Sequence, residues 1–137
     1  MSAKRLTIYT DGASRGNPGP AAIGVVIEDE QGRAVTRVSR RIGETTNNRA
    51  EYLALIAGLE EAARLGAEHV EVRSDSELLV KQIGGQYRVK SPALKPLFEQ
   101  VHHLMKEFQS SSIVHIPREQ NKVADALSRR ALRKAID

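Results

Sequence analysis

The chain has no cysteine and no tryptophan. Without thiols it can form neither a disulfide framework nor a thiolate metal site. Its aromatic residues are few: Tyr9, Tyr52, Tyr87, Phe98 and Phe108. That is too sparse for a stacking platform under single-stranded bases. No apolar run approaches the length of a membrane span, and the opening Met-Ser-Ala-Lys-Arg lacks the apolar middle of a signal peptide. A soluble, cytoplasmic protein without membrane contacts is expected. At 137 residues, one domain spanning 1–137 is expected, long enough to bury a core without staples. Strong net charge is missing too, since 21 Lys and Arg against 17 Asp and Glu leave only +4. So mild a bias is compatible with a polyanionic partner and is weak evidence for one. Placement says more: Arg37, Arg40 and Arg41 cluster, as do Arg88 and Lys90, and Arg129, Arg130, Arg133 and Lys134 near the end. Each cluster taken singly reads as a solvated face.

What the chain does have is clear hydrophobic periodicity. Residues 6–10 read as a strand, and 22–28, with Ile23, Val25, Val26 and Ile27, as a second, nearly continuous and therefore central one. A turn at 29–32 leads to a third strand over 34–42, and the three make an antiparallel meander most simply. Leu53, Ile56, Leu59 and Ala63 recur at helical spacing within 48–65, which stops before Gly66. A short strand over 70–74 follows, then a short helix over 76–83 halted by Gly84 and Gly85. An amphipathic helix over 94–108, a strand over 113–116 broken by Pro117, and a helix over 123–136 complete the chain. This order predicts an α/β fold with a five-stranded mixed sheet, its first three strands antiparallel, flanked by helices.

Four acids fall at element boundaries. Asp11 ends the first apolar run and opens a segment rich in Gly, Pro and small polar residues that runs to Pro20. Glu51 is placed in the first turn of the first long helix, Asp75 directly after the fourth strand, and Asp125 in the first turn of the last helix. Singly, each has an ordinary explanation. Asp-Gly marks turns, Asn48 with Glu51 and Ser74 with Glu77 fit capping boxes, and an acid near a helix start gains from the macrodipole. The signal lies in the set.

Tyr9-Thr10-Asp11-Gly12, then Gly16-Asn17-Pro18-Gly19-Pro20, Thr46-Asn47-Asn48-Arg49-Ala50-Glu51, Ser74-Asp75-Ser76 and Asn121-Lys122-Val123-Ala124-Asp125 closely resemble, in this order, the ribonuclease H family, type 1. The resemblance covers nearly the whole chain. It implies the ribonuclease H-like fold and a metal-dependent endonuclease that hydrolyses the RNA strand of RNA–DNA hybrids, leaving 5′-phosphate and 3′-hydroxyl ends. By the same resemblance Asp11, Glu51, Asp75 and Asp125 are the metal-binding carboxylates. Asp11 would bridge two Mg2+ ions, with Mn2+ as a substitute; Asp125 would complete one site, and Glu51 and Asp75 the other. Gly12, Ala13 and Ser14 would lie against the RNA sugar. Asn17, Asn47 and Asn48 match hybrid-contacting positions, and Thr46 matches a residue lining a DNA-phosphate pocket.

Three departures from the family pattern stand out. Glu77 occupies a position where many relatives have a Gln that touches the minor groove, and an ionised carboxylate can only accept hydrogen bonds. Only residues 84–95 occupy the interval where well-studied bacterial relatives carry a basic protrusion. The loop before the last acid, Pro117 to Lys122, has no His, which leaves Arg118 or Glu119 nearest the scissile phosphate. An alternative reading is a catalytically weak nucleic-acid-binding module on the same fold. An aspartyl phosphatase is disfavoured because Tyr9 and Ala13 stand where a second Asp belongs. A monomer is expected.

Overall fold

The computed structural model describes residues 4–134. The elements in chain order are β1 (Arg5–Ser14), β2 (Gly19–Glu28), β3 (Ala34–Thr45), α1 (Asn47–Arg64), β4 (His69–Ser74), α2 (Glu77–Ile83), α3 (Lys95–Met105), β5 (Ser110–His115), a 3-10 turn (Arg118–Gln120) and α4 (Lys122–Lys134). The sheet order is β3-β2-β1-β4-β5. Strands β1, β2 and β3 pair antiparallel, while β4 runs parallel to β1 and β5 parallel to β4. The mixed sheet matches the expectation. Short connections suffice for the antiparallel strands, whereas the parallel return from β3 to β4 needs a crossover, which α1 supplies.

Alternation along β1 divides the molecule. Leu6 and Ile8 join the main core with Leu55 and Leu59 of α1 and Val101 of α3. Ala13 points to the opposite face, against the small cluster of Ala22, Ala131 and Leu132 under α4. Each fully buried Leu or Ile contributes roughly 1.5–3 kcal/mol, so the α1 side holds most of the stability. On the other side α4 rests on bare strand backbone. A Cβ on Gly24 would lie 2.0 Å from the Ala124 carbonyl oxygen and 2.7 Å from the Ser128 nitrogen. Only glycine lets the helix sit that low, and that seating carries Asp125 and Ser128 over β1.

The boundaries differ from the periodicity reading where short polar residues take part in pairing. β1 continues through Asp11 to Ser14 because those residues pair with Ala21 to Gly24 of β2. Asp11 therefore lies inside a strand rather than at its end, a correction to the expected loop. β5 begins at Ser110, not Ile113, because its three serines pair with His69 to Glu71 at the sheet edge. α3 ends at Met105, short of Phe108. The expected end of the last helix at Ile136 lies outside the described residues. No helix among the described residues is long and apolar enough to cross a membrane.

Candidate active site

Asp11 is 7% exposed in mid-strand, facing α4. Glu51 is equally buried on α1 and reaches down to the same strand, where its Oε1 accepts the Gly12 N–H at 2.8 Å. That reach depends on Gly12, since a Cβ there would fall 2.2 Å from the Ala50 carbonyl carbon. Asp75 follows β4, whose Ser74 pairs with Thr10, so the parallel register sets Asp75 beside Asp11. Asp11, Glu51 and Asp75 each present a carboxylate oxygen, and these three oxygens lie within 4.8 Å of one another. Asp125 stands apart from this trio. Arg129, one helical turn on, grips both its oxygens, with Nε at 3.2 Å from Oδ1 and Nη2 at 2.9 Å from Oδ2.

The electrostatics follow from burial. Loss of solvent, with repulsion from Asp75 and Asp125, pushes the Asp11 carboxyl up to about 6, against the opposing pull of the Ser128 hydroxyl and the Arg118 cation. Burial and the charges of Asp11 and Asp75 raise Glu51 well above the usual carboxylate range, and the Gly12 N–H only partly offsets this. Such crowding is costly for the bare protein. Two buried acids and a third close by, all offering oxygen and none bridged to Lys or Arg among the described residues, fit a hard divalent cation.

Around the acids the expected residues divide. Asn17 Oδ1 accepts the Asn47 N–H at 2.9 Å, tying the β1–β2 hairpin to the start of α1. Thr46 Oγ1 accepts the Arg49 N–H at 3.2 Å and so caps α1. Asn17, Thr46, Asn47 and Asn48 thus gather at one rim, with the three asparagines exposed. The expected capping box between Asn48 and Glu51 does not form. Thr46 is the cap, and Glu51, in the second turn, is engaged with Gly12. Likewise Ser76 rather than Ser74 caps α2, accepting from Leu79. Gly12 is buried with its N–H already taken, so it has none to offer a sugar, while Ala13 and Ser14 are half-buried beyond it. Glu77 is exposed and paired with Lys81 at 3.0 Å, which holds its carboxyl below the ordinary range. Of the two loop candidates, Arg118 acts on Asp11, and Glu119 lines a separate cavity of about 260 Å³ with Tyr9 and Asn121.

Ser128 is not singled out by the sequence, and Asn121 enters there only as part of a motif. Ser128 is fully buried, with Oγ 2.5 Å from Asp11 Oδ2 and 2.9 Å from the Asp125 carbonyl. Its single proton can serve only one acceptor at a time, and the charge-assisted bond to Asp11 is the stronger. The signal available was spacing, since Ser128 shares a helix face with Asp125 three residues earlier. Asn121, 1% exposed, donates from Nδ2 to the Thr10 carbonyl at 2.9 Å, locking the entry of α4 onto β1 next to Asp11.

A mixed five-stranded sheet with acids converging from a central strand, its parallel neighbour and helices on both faces defines a ribonuclease H-like protein. A sequence model of reverse transcriptase-like proteins matches residues 9–131. Ribonuclease HI of Halobacterium salinarum is 46% identical over 93% of this chain and 64% of its own length. A bifunctional protein of Mycobacterium tuberculosis is 42% identical, and the chain spans 35% of it. The chain thus covers less than two thirds of one curated relative and about a third of the other. The crystal structure of RNase H1 from Halobacterium salinarum superposes with a TM-score of 0.93 at 45% identity, covering 95% of this chain and 98% of that one. LC11-RNase H1, solved in complex with RNA/DNA hybrid, gives 0.91 at 50% identity over 96% and 99%. The chain belongs to the ribonuclease H family, type 1.

Proposed function

We propose that residues 1–137 form one nuclease domain, a cytoplasmic monomer that hydrolyses the RNA strand of RNA–DNA hybrids. The observation that carries this reading is the trio of carboxylates, two of them buried, with oxygens within 4.8 Å. The hybrid held by LC11-RNase H1, at 50% identity, supports the substrate. Asp11 would be shared between two divalent cations, Mg2+ or Mn2+, with Glu51 and Asp75 holding one. Asp125 would help hold the other once Arg129 gives way. Bound there, divalent cations supply Lewis acidity that neutralises phosphate charge and makes a water acidic enough to attack. The chain's own groups do the positioning. The Gly12 N–H orients Glu51, Ser128 orients Asp11, and the Asn17, Thr46, Asn47 and Asn48 rim offers neutral donors to phosphates and sugars. Ala13 and Ser14 lie next to the RNA strand, with 2′-hydroxyls as the distinguishing feature. Arg118 brings a positive charge toward the reacting phosphate. Attack by water breaks the P–O3′ bond, leaving a 3′-hydroxyl on one fragment and a 5′-phosphate on the other.

The test is a panel of end-labelled RNA–DNA hybrid, duplex DNA, duplex RNA and single-stranded RNA in Mg2+ and in Mn2+. The expected result is cutting of RNA chiefly in the hybrid, with fragments that a polymerase extends from the 3′ end without prior phosphatase treatment. A chain that binds hybrid without cutting it in either metal would instead be a binding module. Ser128→Ala should lower kcat on the hybrid about tenfold, the value of one hydrogen bond to a charged group. Its melting temperature should stay within a few degrees, because Ala fills nearly the same space. An unchanged kcat would remove Ser128 from the positioning set.

A further inference from the structure

A second cationic feature lies outside the acid cluster. On the face of β3 that α4 covers, Arg37, Ser39 and Arg41 stand in a row, and Ser39 Oγ donates to the Leu127 carbonyl of α4 at 2.6 Å. With Leu127, Arg130 and Ala131 these residues line an open groove of about 440 Å³ between the edge strand and the helix. Arg37, Arg41 and Arg130 are all exposed, and among the described residues none makes an ion pair or a side-chain hydrogen bond. Arg40, between them in sequence, projects from the other face and acts on Glu61 of α1 instead. Three guanidinium groups left without acids around one groove are complementary to a polyanion.

Strand register fixes where the groove lies relative to the acids. Asp11 pairs with Gly24 and Gly24 with Ser39, so the centre of the arginine row is two strands across from Asp11, roughly 10 Å away in the sheet. Arg41 is level with Ala22 and Ala13, and Arg37 with Val26 and Tyr9. From Arg37 to Arg41 the row spans about 13 Å. Phosphates rise about 3.4 Å per step along one strand of a duplex, so the row is about as long as four such steps. Arginine forks suit such oxygens better than lysines would.

We propose that this groove binds the phosphate backbone of the hybrid flanking the cleavage site, beyond the nucleotides that enter the acid cluster. The proposal rests on the reading of the chain as a hybrid nuclease.

The experiment compares wild type with the triple variant Arg37→Ala/Arg41→Ala/Arg130→Ala, and with the triple lysine variant, on a hybrid of about 24 base pairs. None of these side chains touches the acids, and thermal melting verifies that each variant is folded. For the 24-mer, KM should rise roughly tenfold in the alanine variant with kcat unchanged. The salt dependence of hybrid binding should flatten by two to three in log–log slope, since three phosphate contacts are lost. The lysine variant should recover part of the affinity. A fall in kcat with KM unchanged would put the arginines inside the cleft and overturn the flanking assignment. No loss would overturn phosphate binding and leave the groove to an acidic protein surface. If wild type cuts no hybrid, anisotropy with the same hybrid still reads the groove, because a binding loss and a flatter salt dependence in the alanine variant support it and no loss overturns it.

Discussion

Asp11→Asn is expected to lower hybrid cleavage by more than about 10³-fold while making the metal-free protein more stable. The two effects share one cause. Asp11 belongs to the acid cluster with Glu51 and Asp75, and in the proposed function its carboxylate would be shared by two cations; an amide keeps the shape and removes the charge that would bind them. The same charge is a burden in the absence of metal. Its folded-state pKa of about 6 lies above the 3.8 of a free Asp side chain. The unfolded chain therefore releases this proton at lower pH than the folded one. The folded state is relatively favoured below about pH 4 and loses that advantage as pH rises through 6. A shift of this size corresponds to about 3 kcal/mol above pH 7. In chelator at pH 8, Asp11→Asn should melt roughly 5–10 °C above wild type, and at pH 4 the two should melt together. Saturating Mg2+ should raise wild type and leave the variant nearly unmoved. Differential scanning fluorimetry across this pH range, beside the cleavage assay, checks every part. A variant that melts below wild type at pH 8 in chelator would contradict the repulsion.

Gly24→Ala is the second large effect, acting from beneath α4 rather than within the site. The new methyl group would fall 2.0 Å from one helix carbonyl oxygen and 2.7 Å from a helix nitrogen, both backbone atoms that no rotamer change can move away. The helix must rise from the sheet, at a cost of about 2–4 kcal/mol. Asp125, Ser128 and Asn121 rise with it, which breaks the Ser128 bond to Asp11 and the Asn121 bond to Thr10. Displacement of about 1 Å at a reacting centre costs on the order of 100-fold, and cleavage should fall at least that far in protein that remains folded. Melting and kcat measured on the same preparation separate this from simple unfolding. A folded variant with normal kcat would show that the seating of α4 does not set the site.

Most of the fold was legible because its strands and helices follow simple periods. Val25 to Ile27 marked a central strand, and Leu53 to Ala63 marked α1. Misplaced boundaries were those where pairing overrode composition. Asp11 to Ser14 and Ser110 to Ser112 are short polar residues that look like loop, yet their backbones are captured by a neighbouring strand. Of the four acids that the resemblance named, Asp11, Glu51 and Asp75 come together, whereas Asp125 stands apart and pairs with Arg129. Their surroundings were not legible. That Glu51 is held by the Gly12 N–H, that Ser128 meets Asp11, and that Arg129 grips Asp125 depend on which helix face meets which strand, and periodicity does not give that crossing. The arginine row on β3 was visible only as a cluster. Register was needed to split Arg40 from Arg37 and Arg41 and to set the latter two beside Arg130.

The most direct measurement is cleavage of a labelled RNA–DNA hybrid by the wild-type chain, once in Mg2+ and once in excess chelator. The proposed metal role of the acids predicts RNA-strand cleavage in the first and none above background in the second. Equal cleavage in chelator would contradict the metal role of Asp11, Glu51, Asp75 and Asp125.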